Sequence, residues 1–275
     1  SGLPPFISLT QTVPFYGEIN FNELDNYYAH DAEVIVSDGI TTVTLAEFCL
    51  SEIDEALIPF VVAYLGLELD STGSFPVDVC LYTDPNIFTG APSIIGVPGK
   101  IYSLTITYDG KTYTSSTKVP ELSYLDSVFV KNQPDPDTDS LYILYGTLTD
   151  PDTLGNHYRY LTKRNSEAFY PPFSSVADDL FFNGNTFDFN MARGSAPTED
   201  FDPATSGYFF TGDTIVLKWC TIDRASYDFF RTLEFDSGTD GPFASATIVQ
   251  TNISDGALGV WCGYGVTYDT VYVTE

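Results

Sequence analysis

Thirty-eight acidic side chains, two histidines and four cysteines carry most of the chemistry that this 275-residue chain can offer. A serine hydrolase needs an imidazole placed as a base beside its nucleophile. Only His30 and His157 supply one. His30 follows Tyr27 and Tyr28 in a polar stretch, and His157 opens a strand-like run, so both read as surface or strand-end residues. The chain contains no G-x-S-x-G elbow, no phosphate-binding loop and no G-x-G-x-x-G fingerprint. Two carboxyl groups about 5–10 Å apart can cleave a glycosidic bond. With 38 acids the sequence leaves room for such a pair, and no local motif singles one out. These residues point to a protein that is not an enzyme, with a glycosidase-like activity as an alternative.

Metal chemistry has one local candidate. Asp135, Asp137 and Asp139 alternate in a proline-rich turn, followed by Asp150 and Asp152 in the next. Calcium takes six to eight oxygens, and alternating acids can present several. Pro134 and Pro136 interrupt the loop and the glycine of an EF-hand is missing, so the expectation is a solvated hairpin tip with no metal and no cofactor. Cys49, Cys80, Cys220 and Cys262 contain no C-x-x-C and fit no zinc spacing. The simplest disulfides are Cys49–Cys80 and Cys220–Cys262; four buried thiols are the equal alternative.

Aromatic residues offer a third chemistry. Sugars present apolar faces that stack on rings, while nearby acids and amides bind their hydroxyls. Phe169-Tyr170-Pro171-Pro172-Phe173 and Tyr208-Phe209-Phe210 are dense enough to form such a platform. Tyr170, Phe173 and Tyr208 are the candidate ligand contacts. Phe181-Phe182 and Phe229-Phe230 read as packing residues, the usual place for rings in β proteins.

The elements that must position these groups are mainly strands. Residues 32–45 place Asp38-Gly39 between two β-rich runs, and Asp109-Gly110 separates Ile101–Tyr108 from Lys111–Thr117. Both read as hairpins. Tyr102, Leu104, Ile106 and Tyr108 alternate with polar residues, which predicts one buried face. Leu45, Phe48, Cys49, Ile53, Ala56 and Leu57 follow helical spacing up to Pro59, and the apolar run Ile58 to Leu69 reads as a buried strand. Two strands flank the acidic turn 134–139, and residues 156–164 form another. Gly212-Asp213 reads as the turn of a hairpin whose second strand has Ile215, Leu217 and Trp219 on one face. Asp223 caps a helix with the stripe Ile222, Ala225, Phe229, Phe230 and Leu233, ended by Gly238 and Gly241. Residues 246–253 and 259–275 read as closing strands. Residues 165–207 show little periodicity.

The formal charge of −27 disfavours nucleic acid and anionic membrane surfaces as partners. No 18-residue apolar run is present, so nothing is expected to span a bilayer as a helix. The chain begins at Ser1-Gly2 without Met, so any export signal or lipid-bearing cysteine is expected upstream.

Taken in order, the stretches AEVIVSDG, PGKIYSLTITYDGKTYTSSTKVPELSYLDSV, TDPDTLGNHYRYL, DDLFFNG, IDRASYDFFRTL and TNISDGALGVWCGYGVTYDTVYV resemble the Bacteroidetes lipoproteins that carry the domain of unknown function 4249. The resemblance implies an all-β protein, with an N-terminal immunoglobulin- or transthyretin-like sandwich over 1–120. A larger antiparallel sandwich or barrel domain with one short helix follows over 121–275, with Pro120 at the boundary. It implies a lipid anchor on the outer membrane, often beside a TonB-dependent transporter, and carries over no site residues. Residues 46–97 are longer than the family pattern. The reading is a non-catalytic surface protein that binds a glycan or other nutrient and assists uptake, with a structural or adhesive module as the alternative.

Overall fold

The computed structural model describes residues 2–11, 27–55, 58, 61, 78–133, 141–197, 199–237 and 248–274. The regular structure of the described residues is mostly strand, which places the chain in the all-β class, and one of its sheets curls into a half-barrel. The chain divides into two compact units. The first is Ser1–Thr117 with Ile253–Ala257, and the second is Lys118–Asn252 with Leu258–Glu275.

The first unit is built on a six-stranded sheet. Its strands are β1 (Phe6–Ile7), β2 (Glu33–Ser37), β3 (Thr42–Cys49), β4 (Cys80–Thr83), β5 (Ile101–Tyr108) and β6 (Lys111–Lys118), in the order β1-β4-β3-β2-β5-β6. Alternation decides which side is buried: Val34 and Val36, Val43 and Leu45, and Tyr102, Leu104 and Ile106 all point inward. Asp109 and Gly110 both adopt positive φ, 48° and 70°, as a two-residue type I′ turn requires. The Asp38-Gly39 hairpin uses a longer loop in which only Gly39 has positive φ. There Asp38 Oδ1 accepts the N–H groups of Ile40 (3.0 Å) and Thr41 (2.7 Å). Lys100, 2.7 Å from Oδ2, together with these two N–H groups, holds the Asp38 carboxyl well below the usual carboxylate range.

The helix expected from Leu45 is not formed. Residues up to Cys49 extend as β3, because pairing with β2 and β4 satisfies their backbone and buries alternate side chains. Helical spacing and strand alternation overlap in so short an apolar run. Ile58 and Val61 are helical where a strand was expected; Ala56, Leu57, Pro59 and the rest of the run to Leu69 lie outside the described residues.

The second unit is a two-sheet β-sandwich. One sheet runs β10-β9-β13-β14, from β9 (His157–Arg164), β10 (Val176–Asp178), β13 (Thr214–Ile222) and β14 (Gly265–Tyr272). The other centres on β8 (Leu141–Thr149), flanked by β7 (Ser127–Asn132), β11 (Thr186–Met191) and β12 (Phe209–Phe210). Leu144, Leu148, Met191 and Phe209 from one sheet meet Tyr158, Ile215, Leu217 and Trp219 from the other. Each fully buried aliphatic side chain of this kind contributes roughly 1.5–3 kcal/mol.

Gly212-Asp213 does not close a hairpin. β12 pairs with β8 while β13 pairs with β9 and β14, so the turn carries the chain from one sheet to the other. Nor do residues 248–253 form a strand.

Helix α1 (Arg224–Ser237) lies on the outer face of the β9–β13 sheet, where Tyr227 and Phe230 cover Cys220 and Ile222. Asp223 caps it, with Oδ1 accepting the N–H of Ser226 at 2.9 Å. The buried stripe is Ser226, Tyr227 and Phe230, rotated from the expected one, and Leu233 is exposed. Gly238 and Gly241 lie outside the described residues.

Candidate functional site

Strand register decides what the outer face of the second unit offers. Ile215, Leu217 and Trp219 point into the sandwich, so Val216, Lys218, Cys220 and Ile222 point out. Opposite them on β9 stand Lys163, Leu161, Arg159 and His157. Helix α1 covers the Cys220–Ile222 end. Beneath it Arg159 lies 3.5 Å from the ring centre of Phe230, and it donates to Ser175 Oγ (3.1 Å) and Tyr264 OH (2.9 Å). Glu234 reaches down from the helix to accept the Ser175 N–H at 2.8 Å and the Ser175 hydroxyl. This network fastens α1 to the chain just before β10.

A groove of about 690 Å³ opens beside this network, with Tyr227 and Glu234 of α1 among the residues that line it. Its volume lies within the range of small-ligand sites. Asp228, Arg231, Thr232 and Phe235 line it from the helix, at the i, i+3, i+4, i+7 spacing of a single face. Phe173, Ser174 and Val176 form the facing wall, and Gln250 closes one end by donating its N–H to Thr232 Oγ1 at 2.9 Å. Tyr227 is held there by its hydroxyl, which donates to Asp178 at 3.0 Å. Phe173 is 76% exposed and Phe235 61%, so two rings face solvent across a polar-edged groove. Asp228 accepts from Arg224 at 2.8 Å. The Arg231 guanidinium lies 5.9 Å from the Tyr227 ring, and among the described residues no carboxylate pairs with it.

The expected ligand contacts do not converge. Phe173 lines the groove. Tyr170 is half-buried at the edge of β9, its N–H and C=O both bonded to Thr162 at 3.0 Å. Tyr208 is half-buried and its hydroxyl accepts from Gln133 at 3.3 Å. Phe169 packs near Tyr268, centroids 5.9 Å apart, with Lys163 and Lys218 each 5.9 Å from its ring. Asp135, Asp137 and Asp139 lie outside the described residues. Asp150 is committed to the fold, accepting from Tyr158 OH at 2.6 Å.

Of the two simplest disulfides only Cys49–Cys80 forms. Cys220 and Cys262 are thiols packed under α1, and burial pushes them up to about 11 and about 12, so neither is a nucleophile at neutral pH. Phe235 was the contact that sequence reasoning missed. Its signal was present in the mixed stripe Asp228, Arg231, Thr232, Phe235, which has an aromatic where a solvated helix face would carry a polar residue.

No curated protein and no solved structure matches the chain. The sequence profile of the family described as Domain of unknown function (DUF4249) matches residues 2–270, nearly the whole length, and the chain therefore belongs to that family.

Proposed function

We propose that this protein is a non-catalytic, ligand-binding component of the cell surface, and that the groove along α1 receives a carbohydrate. The observation that carries the reading is the pair of exposed rings, Phe173 and Phe235, across a groove edged by Asp228, Arg231, Thr232 and Gln250. Rings present apolar faces to the C–H side of a sugar, while the polar edge exchanges hydrogen bonds with its hydroxyls. The two carboxylates of the groove both serve as acceptors, Asp228 from Arg224 and Glu234 from Ser175. Such roles suit binding better than proton donation to a leaving group.

The Cys49–Cys80 disulfide supports export to an oxidising compartment. With the family resemblance, it favours a lipid-anchored protein on the outer membrane that delivers its ligand to a TonB-dependent transporter. The charge of −27 keeps the protein away from nucleic acid and from anionic lipid.

Affinity electrophoresis through gels containing soluble polysaccharides tests the ligand. Wild type is expected to be retarded by at least one polysaccharide without releasing reducing sugar, and Phe173→Ala/Phe235→Ala to run freely. Equal mobility of the two proteins in every gel, or release of sugar by wild type, overturns the reading. For the transporter, the test is co-purification of a TonB-dependent receptor with the tagged protein from native outer membranes. A soluble-fraction location without receptor counts against it.

A further inference from the structure

We propose that the Cys49–Cys80 disulfide is the oxidised form of a zinc site, and that in the reduced chain His30, Glu47, Cys49 and Cys80 bind one Zn²⁺. The register of β3 and β4 brings the donors together. Cys49 stands opposite Cys80 and Glu47 opposite Tyr82, so all four side chains share one face of the ladder. His30 comes from the segment before β2, with Nδ1 2.7 Å from Glu47 Oε1. One ligand atom from each of His30, Glu47, Cys49 and Cys80 lies within 4.8 Å of all the others. In a tetrahedral zinc site with bonds of about 2.0–2.3 Å, neighbouring donors stand roughly 3.3–3.8 Å apart. Small side-chain adjustments therefore suffice once the two sulfurs are free to separate.

The surroundings already orient the carboxylate. Glu47 Oε2 accepts from the Asp31 N–H at 3.2 Å and stands 3.1 Å from the hydroxyl of Tyr82, which itself receives the Ala32 N–H at 3.0 Å. That leaves Oε1 directed at His30. Outer contacts of this kind are what fix ligand geometry in metal sites.

The chemistry balances with a dithiol reductant. The reductant gives two electrons and two protons to the Cys49–Cys80 bond and closes to its own disulfide, leaving two thiols. Zinc then displaces both thiol protons to solvent. Two thiolates, one carboxylate and one neutral imidazole around Zn²⁺ carry a net charge of −1. A disulfide oxidant reverses the sequence: it takes two electrons from the two thiolates and two protons from solvent to become a dithiol, the Cys49–Cys80 bond re-forms and Zn²⁺ is released, so the same four residues hold either a covalent clamp or an ion.

The experiment uses the full chain carrying Cys220→Ser/Cys262→Ser, so that no other thiol contributes. It is reduced with a phosphine, desalted without oxygen and titrated with Co²⁺ and then Zn²⁺. One equivalent of Co²⁺ is expected to produce a sulfur-to-cobalt charge-transfer band that Zn²⁺ abolishes. The oxidised chain and reduced Cys49→Ser should give no band, and His30→Ala should weaken binding about 10–100-fold. Circular dichroism follows the fold throughout. If reduction loosens the first unit, zinc is expected to restore its strands and raise its melting temperature. The proposal is overturned if the reduced chain binds no metal, if zinc fails to restore a loosened fold, or if Cys49→Ser or His30→Ala binds as tightly as the parent.

Discussion

Buried aspartates do much of the structural work at single residues. Asp179 is 2% exposed and gathers the N–H groups of Gly155 (2.8 Å) and Asn156 (2.9 Å) together with the Asn156 side chain. Asp84 does the same for Asn86, Ser93 and Ile94. The sequence shows many aspartates near turns, which suggests solvated loops; the structure puts several inside them, because an irregular loop leaves N–H groups that only an acceptor can satisfy. Asp179→Ala is expected to cost roughly 3 kcal/mol and Asp179→Asn about half of that, read as the shift of the second unit's urea midpoint. An unshifted midpoint for the alanine variant would contradict the assignment.

His157 gives a pH dependence. Burial, and after it the Arg224 cation, hold its imidazole below the ordinary value. Between that depressed folded value and about 6.5 the unfolded chain binds a proton that the folded chain does not. Stability should therefore be full above about pH 6.5 and decline as the pH falls through that window. Replacing His157 with Gln should flatten the decline in urea midpoint between pH 7 and pH 5. A variant with the wild-type slope would place the cause elsewhere.

At the scale of elements, the hairpin signals were legible where both turn residues take positive φ, as at Asp109-Gly110, and where strict alternation marks the buried face, as in β5. They misled where a tertiary choice decides. Gly212-Asp213 has the composition of a hairpin turn, yet β12 pairs with β8 and β13 with β9 and β14, so the two strands lie in different sheets. For α1 the cap was readable from Asp223, but the face was not, since Tyr227 and Leu233 are both apolar and only the sheet beneath selects between them. Gly194 belongs to the same class: a Cβ there would sit 2.0 Å from the carbonyl oxygen of Tyr170, a contact invisible in sequence. Asp223→Ala should cost about 1–2 kcal/mol. Hydrogen exchange should locate the loss in α1 and the groove it lines; uniform protection there would argue against the cap.

Across the whole molecule the charge of −27 opposes compaction. Raising salt from about 10 mM to about 150 mM shortens the screening length from about 30 Å to about 8 Å. The melting temperature should rise over that range, and a fall would mean that attractive ion pairs outweigh the self-repulsion. The all-β class and the family were legible in composition, alternation and ordered sequence stretches. The groove was only half legible: Phe173 stood out in an aromatic run, while Phe235 and Arg231 become neighbours of it only because α1 docks on β9 and β10.

The claim that this groove is the ligand site is tested most directly by a thermal-shift screen of glycans against wild type and Phe173→Ala/Phe235→Ala side by side. A ligand at about 100 times its Kd stabilises the folded state by about 2.7 kcal/mol, which for a unit of this size raises the melting temperature by roughly 5–10 °C. The account predicts such a rise for wild type with one class of glycan, and none for the variant, whose unliganded melting temperature stays near wild type because both rings are exposed. A rise of equal size in both proteins would move the site away from α1, and no rise with any glycan would contradict the carbohydrate reading itself.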